Sequence, residues 1–255
     1  MVQRKVNLLT IPIQQNKLNP YWRPFGAGTY KGNNTMANAS TVGFGLRTTS
    51  TVGNTPATSG QSNYKIKSGL GVGIFKNNPC SIQDAGGDQG YLQDASFATT
   101  DDGGSGGAAF DNTGHAPLIG VFNGAFYIDS STSKPTFANS VAAGTTFSTD
   151  YNTGSADGLG FVNDNPFQEY VGKSDAVVTQ SMYGDAGYNT NSFTASDAKD
   201  GQSTVTLDIG GGAASTHMFK LVRSANDPEN KDNSAVGSNQ IVVIAGASNL
   251  YNGDN

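Results

Sequence analysis

The residues that build helices are nearly missing from this chain. Only two glutamates occur in 255 residues, Glu169 and Glu229, lysine and leucine are sparse, and 34 glycines interrupt the remainder. Straight-chain residues lose little rotamer freedom in a helix, whereas each glycine adds backbone entropy that a helix must freeze. The longest stretch without Gly or Pro is 213–227, and its centre is β-branched and aromatic. Long helices are excluded on these grounds, and the chain has to find its core with strands.

The apolar fraction of 36% is low for a globular chain, and Ser, Thr, Asn and Asp fill much of the rest. Apolar residues nevertheless fall in strand-length clusters, which marks an ordered chain with many turns and not a disordered one. The length suffices for one large β domain or two small ones. A formal net charge of −5 opposes a phosphate backbone, so nucleic acid is not expected as a partner. Cys80 stands alone, so no internal disulfide forms, and its position beside a turn reads as that of a small structural residue.

The opening MVQRKVNLLTIPI is basic and then apolar, as a secretion signal is, but Asn7 and Pro12 break the apolar run and no small-residue cleavage site follows. Nothing approaches the roughly eighteen apolar residues of a membrane span. The expectation is a protein with no membrane partner, made and kept soluble in a cytosol or in a particle assembled there.

Three regions follow from composition. Residues 1–30 read as an extended N-terminal arm that reaches a neighbouring subunit, or as an ordinary first strand packed on its own domain, with Val6, Leu8, Leu9, Ile11 and Ile13 leading into Tyr21, Trp22, Arg23 and Phe25 between Pro12, Pro20 and Pro24. Residues 31–112 form a loop-rich β region, of which 31–63 read as loops or edge segments. Residues 113–255 form a β-barrel or sandwich domain, with the glycine loop at 101–114 as the internal boundary. Two glycosylation sequons, at Asn33 and Asn38, fall in a chain without a secretion signal and are taken as chance.

Strands are predicted at 64–66 and 69–75, the latter closed by the turn Lys76-Asn77-Asn78-Pro79. The Asn123-Gly124 pair between 118–122 and 125–128 predicts a β-hairpin with a type I′ turn, which demands two positive-φ positions. Further strands are predicted at 145–148, 160–162, 168–171, 176–180, 218–222 and 240–245. Residues 203–209 alternate strictly, with Val205, Leu207 and Ile209 on one face, as a half-buried strand requires. The uninterrupted apolar run at 240–245 suits the centre of a sheet. The fold class is all-β, a barrel or sandwich of short antiparallel strands with long Gly/Asn/Ser-rich loops.

Candidate chemistry fails on context. Gly103-Gly104-Ser105-Gly106-Gly107 fits the Gly-x-Ser-x-Gly pattern of a hydrolase, with His217 downstream, yet the serine sits in a glycine loop behind Asp101 and Asp102 with no helix after it. His115, His217 and Cys80 have no zinc-site spacing. Asp84 with Asp88, Asp101 with Asp102, and Asp227 with Glu229 and Asp232 read as turn caps before calcium ligands. Ile209-Gly210-Gly211-Gly212 resembles a phosphate-binding turn, but a β pattern follows it, so it reads as a hairpin turn. No catalytic, metal-ligating or cofactor-binding residue is assigned, and the chain is not expected to be an enzyme.

Four segments, taken in order, carry a family resemblance. SGLGVGIFKNNPC at 68–80 presents Ser68, Gly69, Ile74, Phe75 and Pro79; PLIGVFNGAFYIDSSTSKPTF at 117–137 presents Gly120, Val121, Phe122, Gly124 and Tyr127. GFVNDNPFQEYVG at 160–172 presents Val162, Asp164, Pro166 and Phe167, and the segment 219–245 presents Asp227, Pro228 and Asn230. Together they resemble the capsid decoration (cement) proteins of tailed bacteriophages, especially those of aquatic bacteria.

That resemblance implies a tulip-like all-β body on the capsid surface of a virion. Its partners would be the major capsid protein and further copies of itself. Aromatic and Arg side chains dominate such contacts, so the arm residues Leu8, Leu9, Ile11, Ile13, Tyr21, Trp22, Arg23 and Phe25 are the expected contact set. The competing expectation is a receptor- or glycan-binding β module of a tail or fibre, which exposed aromatics in a groove would mark; a flat apolar footprint near the N-terminus would mark capsid attachment. A glycan-degrading enzyme would need two carboxylates facing one another in a cleft.

Overall fold

The computed structural model describes residues 38–53, 55–56, 60–83, 88–95, 118–150, 154–184, 187–190, 200–213 and 218–245. All lie in one compact unit, Met36–Asn255. The arm residues from Leu8 to Phe25, the Ser105 loop, Asp84, Asp101, Asp102, His115 and His217 fall outside the described residues.

Fifteen strands are described: β1 Arg47–Thr51, β2 Thr55–Pro56, β3 Gln61–Ile66, β4 Ile74–Phe75, β5 Pro79–Ile82, β6 Leu92–Asp94, β7 Leu118–Ile128, β8 Pro135–Ala138, β9 Ser140–Val141, β10 Gly158–Asn163, β11 Gln168–Lys173, β12 Asn189–Thr190, β13 Leu207–Asp208, β14 Phe219–Ser224 and β15 Asn239–Ile244. No α-helix occurs among the described residues, and no helix there is long and apolar enough to cross a membrane.

The strands build two antiparallel sheets. Sheet I has the order β14-β15-β11-β1-β2, and sheet II the order β3-β10-β7-β5-β6, with β8 also pairing to β7. Two short ladders, β4 with β9 and β12 with β13, lie beside them. Strands from both sides of residues 101–117 share both sheets, so the regions 31–112 and 113–255 fold together: β1 pairs with β11, and β3 with β10.

The core has two parts because sheet II has two apolar faces. Tyr170, Phe219, Leu221 and Val242 of sheet I pack with Leu118 and Val121 of β7, filling the space between the sheets. On the other face of β7, Phe122 and Ala125 join Ile66, Leu92, Val162 and Val141. A methyl group at Gly160 would meet the Leu92 and Ile66 side chains at 2.6 and 3.0 Å. The sheet therefore curls so that β3 and β6 approach over β10, but among the described residues its edges do not pair and no barrel closes. The architecture is a sandwich with one strongly curled layer.

The Asn123-Gly124 hairpin does not form. β7 runs unbroken for 11 residues through that dipeptide. Asn123 is the extra residue of a β-bulge, opposite the step from Phe161 to Val162 in β10, and Gly124 adopts φ 138°. A type I′ turn needs both central residues left-handed, and pairing with β10 on one side and with β5 and β8 on the other outweighs that local preference.

Other expectations are corrected in extent. Of 69–75 only Ile74–Phe75 enters a ladder, because Gly69 turns at φ 78°. Residues 145–148 contribute one bridge, Asp129 to Phe147, and 176–180 lead without a ladder into a 3-10 turn, Gln180–Met182. Val205, Leu207 and Ile209 are all buried as the alternation demands, although the ladder covers only Leu207–Asp208. β1, placed among loops or edges, is an interior strand of sheet I, since main-chain pairing needs no apolar side chain. The apolar run predicted for the centre of a sheet is β15, between β14 and β11.

Candidate functional site

Among the described residues, three places offer a surface for contact. The first is a groove of about 500 Å³ over the outer face of sheet I, floored by Arg47, Val171 and Lys173 and walled by Phe44 and Asp227. Lys173 is buried, and its ammonium donates to the Ser40 carbonyl at 2.7 Å and to Asn230 Oδ1 at 3.4 Å. Burial lowers its pKa, partly offset by the Asp227 charge. The Arg47 guanidinium lies 4.4 Å from the Phe44 ring centroid and the Lys173 ammonium 5.8 Å from it, so one ring faces two cations.

These contacts hold the segment at 38–46 against the sheet. Asn38 Nδ2 donates to the carbonyls of Asp232, Ala235 and Val236, and Asn38 Oδ1 accepts from the Asp232 N–H. Asn38 is thus pinned to the 232–236 turn, and the sequon there has its amide nitrogen engaged. Asp227 accepts from the Glu229 N–H, from Asn239 and from Asn230, which holds its carboxyl below the usual range. The 227–232 cluster therefore caps its own turn.

The second place is the outer face of sheet II. Cross-strand pairing lines up Phe137, Phe126, Leu159 and Lys65 in one row across β8, β7, β10 and β3. Sheet I covers this face at Leu118 and Val121 but leaves the far half open. Phe137 is 76% exposed, and its ring stands 4.8 Å from that of Phe126. Phe161 lies on the same face two residues from Leu159, opposite Gly124. Because Gly124 has no side chain, a notch of about 250 Å³ opens between Phe161 and Phe137, rimmed by Asn123 and Asn139.

The third is a tip where two turns meet. The Val52 N–H donates to the Phe167 carbonyl at 2.8 Å, and the two side chains are 56% and 66% exposed. Phe167 follows Pro166 in the turn from β10 to β11, the turn held by Asn165 Oδ1 accepting from the Phe167 N–H. The position of an aromatic in an Asn-Asp-Asn-Pro turn was the available sequence signal, since a core aromatic seldom sits there.

Polar clusters elsewhere serve the fold. The Ile209 and Gly210 N–H groups donate to Asp175 Oδ1, and the Gly211 N–H to Asp208 Oδ1. The phosphate-like turn is occupied by the chain's own carboxylates, and it joins β13 to β14, which do not pair with each other, so it is no hairpin. Asp88 pairs with Lys67. Cys80 is fully buried in β5, its thiol donating to the Gly120 carbonyl at 3.4 Å, and burial pushes its pKa up. Among the described residues no three His, Cys, Asp or Glu side chains gather as a metal site requires. Comparison with known proteins found no matching family model, curated protein or solved structure.

Proposed function

We propose that this chain is a virion structural protein that binds the outer surface of a phage capsid and stabilises it, acting by adhesion and not by catalysis. The observation that carries this reading is Phe167. It belongs to the ordered set of residues that resembles the decoration proteins, yet it is 66% exposed and packs no core, leaving its side chain free for a partner. The other members of that set support the frame behind it: Gly120 and Phe122 lie in the central strand β7, and Asp227 and Asn230 in the turn from β14 to β15.

Residues 1–30 are proposed as a second contact, on composition alone. Residues tethered to a docked body from a fixed point act at high effective concentration, so many modest sites on one particle strengthen the shell together. The test is co-sedimentation with heads of the encoding phage for the full chain, for Phe167→Ser and for a chain lacking residues 1–26. Both altered proteins are expected to keep their urea midpoints and to lose occupancy. Full occupancy by both would overturn the reading and favour a glycan-binding β module of a tail or fibre, the second reading that the exposed Phe137 beside a notch supports.

A further inference from the structure

The open half of sheet II offers a surface distinct from the Val52–Phe167 tip. We propose that the notch over Gly124 binds one ring of a neutral saccharide, with Phe137 and Phe161 as its walls and Asn123 and Asn139 as its polar rim. Among the described residues the lining contains no ionisable side chain, which argues for an uncharged ligand. Amides both donate and accept, as sugar hydroxyls do, and an aromatic face matches the C–H face of a pyranose.

The notch is built into the backbone. It exists because the Asn123 bulge brings Gly124 to the outward face at φ 138°, where an added methyl group would be strained and would stand 3.1 Å from the Ala138 carbonyl. Asn123 is already oriented, its Nδ2 donating to Gln61 Oε1 at 2.8 Å. Phe126 packs beside Phe137, the more exposed wall, with ring centroids 4.8 Å apart. A volume of about 250 Å³ suits a single ring. Affinity for one ring is expected at about 1 mM or weaker, a level that repeated copies on one particle raise.

The test is saturation-transfer NMR on the full chain with the methyl pyranosides of glucose, galactose and N-acetylglucosamine, with a proline-rich peptide as the competing class of ligand. Transfer to the ring protons of at least one glycoside is expected, reduced several-fold in Phe161→Ser and in Phe137→Ser and unchanged in Phe167→Ser. Phe137 is so exposed that its replacement leaves the fold intact, and Asn123→Ala tests the rim without touching the walls. Transfer to none of the glycosides, transfer to the peptide alone, or transfer unchanged in both wall variants would overturn the proposal. Particle attachment is read separately through Phe167→Ser, so either reading can fail while the other stands.

Discussion

Replacing Glu169 with glutamine tests how the outer face of sheet I is held. Glu169 lies on β11, Arg223 on β14, and the pair spans the strand between them, β15. Arg223 donates from Nη1 to Oε1 at 2.7 Å and from Nη2 to Oε2 at 2.6 Å, and the Ser50 hydroxyl of β1 donates to Oε2 at 2.5 Å. One carboxylate therefore ties β14, β11 and β1 together. Its side chain is 3% exposed, while that of Arg223 is 44% exposed.

Removing a charged hydrogen-bonding partner from a buried group costs about 1.5–3 kcal/mol. Glutamine keeps one oxygen for Arg223 and offers its amide to Ser50, and the exposed guanidinium rehydrates. The net loss at neutral pH is then about 1–2 kcal/mol. The Arg223 hydrogen bonds, helped by Ser50, hold the folded carboxyl below its ordinary 4.5. Its stabilisation is thus complete above that value and fades as pH falls through the lower folded pKa. Protonated glutamate and glutamine are near isosteres, so the two proteins converge in acid. Urea denaturation from about pH 7 to about pH 3 should show a gap in midpoint that closes on acidification with an unchanged slope. A gap that does not narrow as pH falls, or none at neutral pH, would refute the argument.

Gly120→Ala should cost about 3 kcal/mol, the upper range of overpacking, because its methyl group would sit 2.2 Å from the Asn163 carbonyl. Gly212→Ala, strained at φ 85° but facing open space, should cost only about 1 kcal/mol, and thermal denaturation separates the two. Cys80, buried with its thiol pKa raised by desolvation, should react with an aromatic disulfide reagent only at the rate of unfolding. Rapid labelling of the native protein would contradict its placement.

What the sequence made legible was decided by single-residue chemistry. The scarcity of Glu, Lys and Leu announces an all-β chain, the apolar run in β15 announces an interior strand, and the alternation of Val205, Leu207 and Ile209 announces a buried face. β7 was misread because Asn-Gly has a strong local turn preference and the bulge that replaces the turn exists only through pairing with β10. The aromatic row was hidden for a related reason: Phe126, Tyr127 and Ile128 are all apolar, so no alternation tells which side faces out. Only the register with Leu159 and Phe137 puts Phe126 on the open face. β1, RTTST, has no apolar residue, and its interior place follows from main-chain pairing on both edges.

The most direct measurement of the proposed role is imaging of purified tailed-phage heads, with and without this protein. The account predicts added density at regular positions on the outer shell, with the Val52–Phe167 tip turned toward the capsomers and the Phe137 face toward solvent. Bare shells at saturating protein, or density confined to a tail, would contradict it.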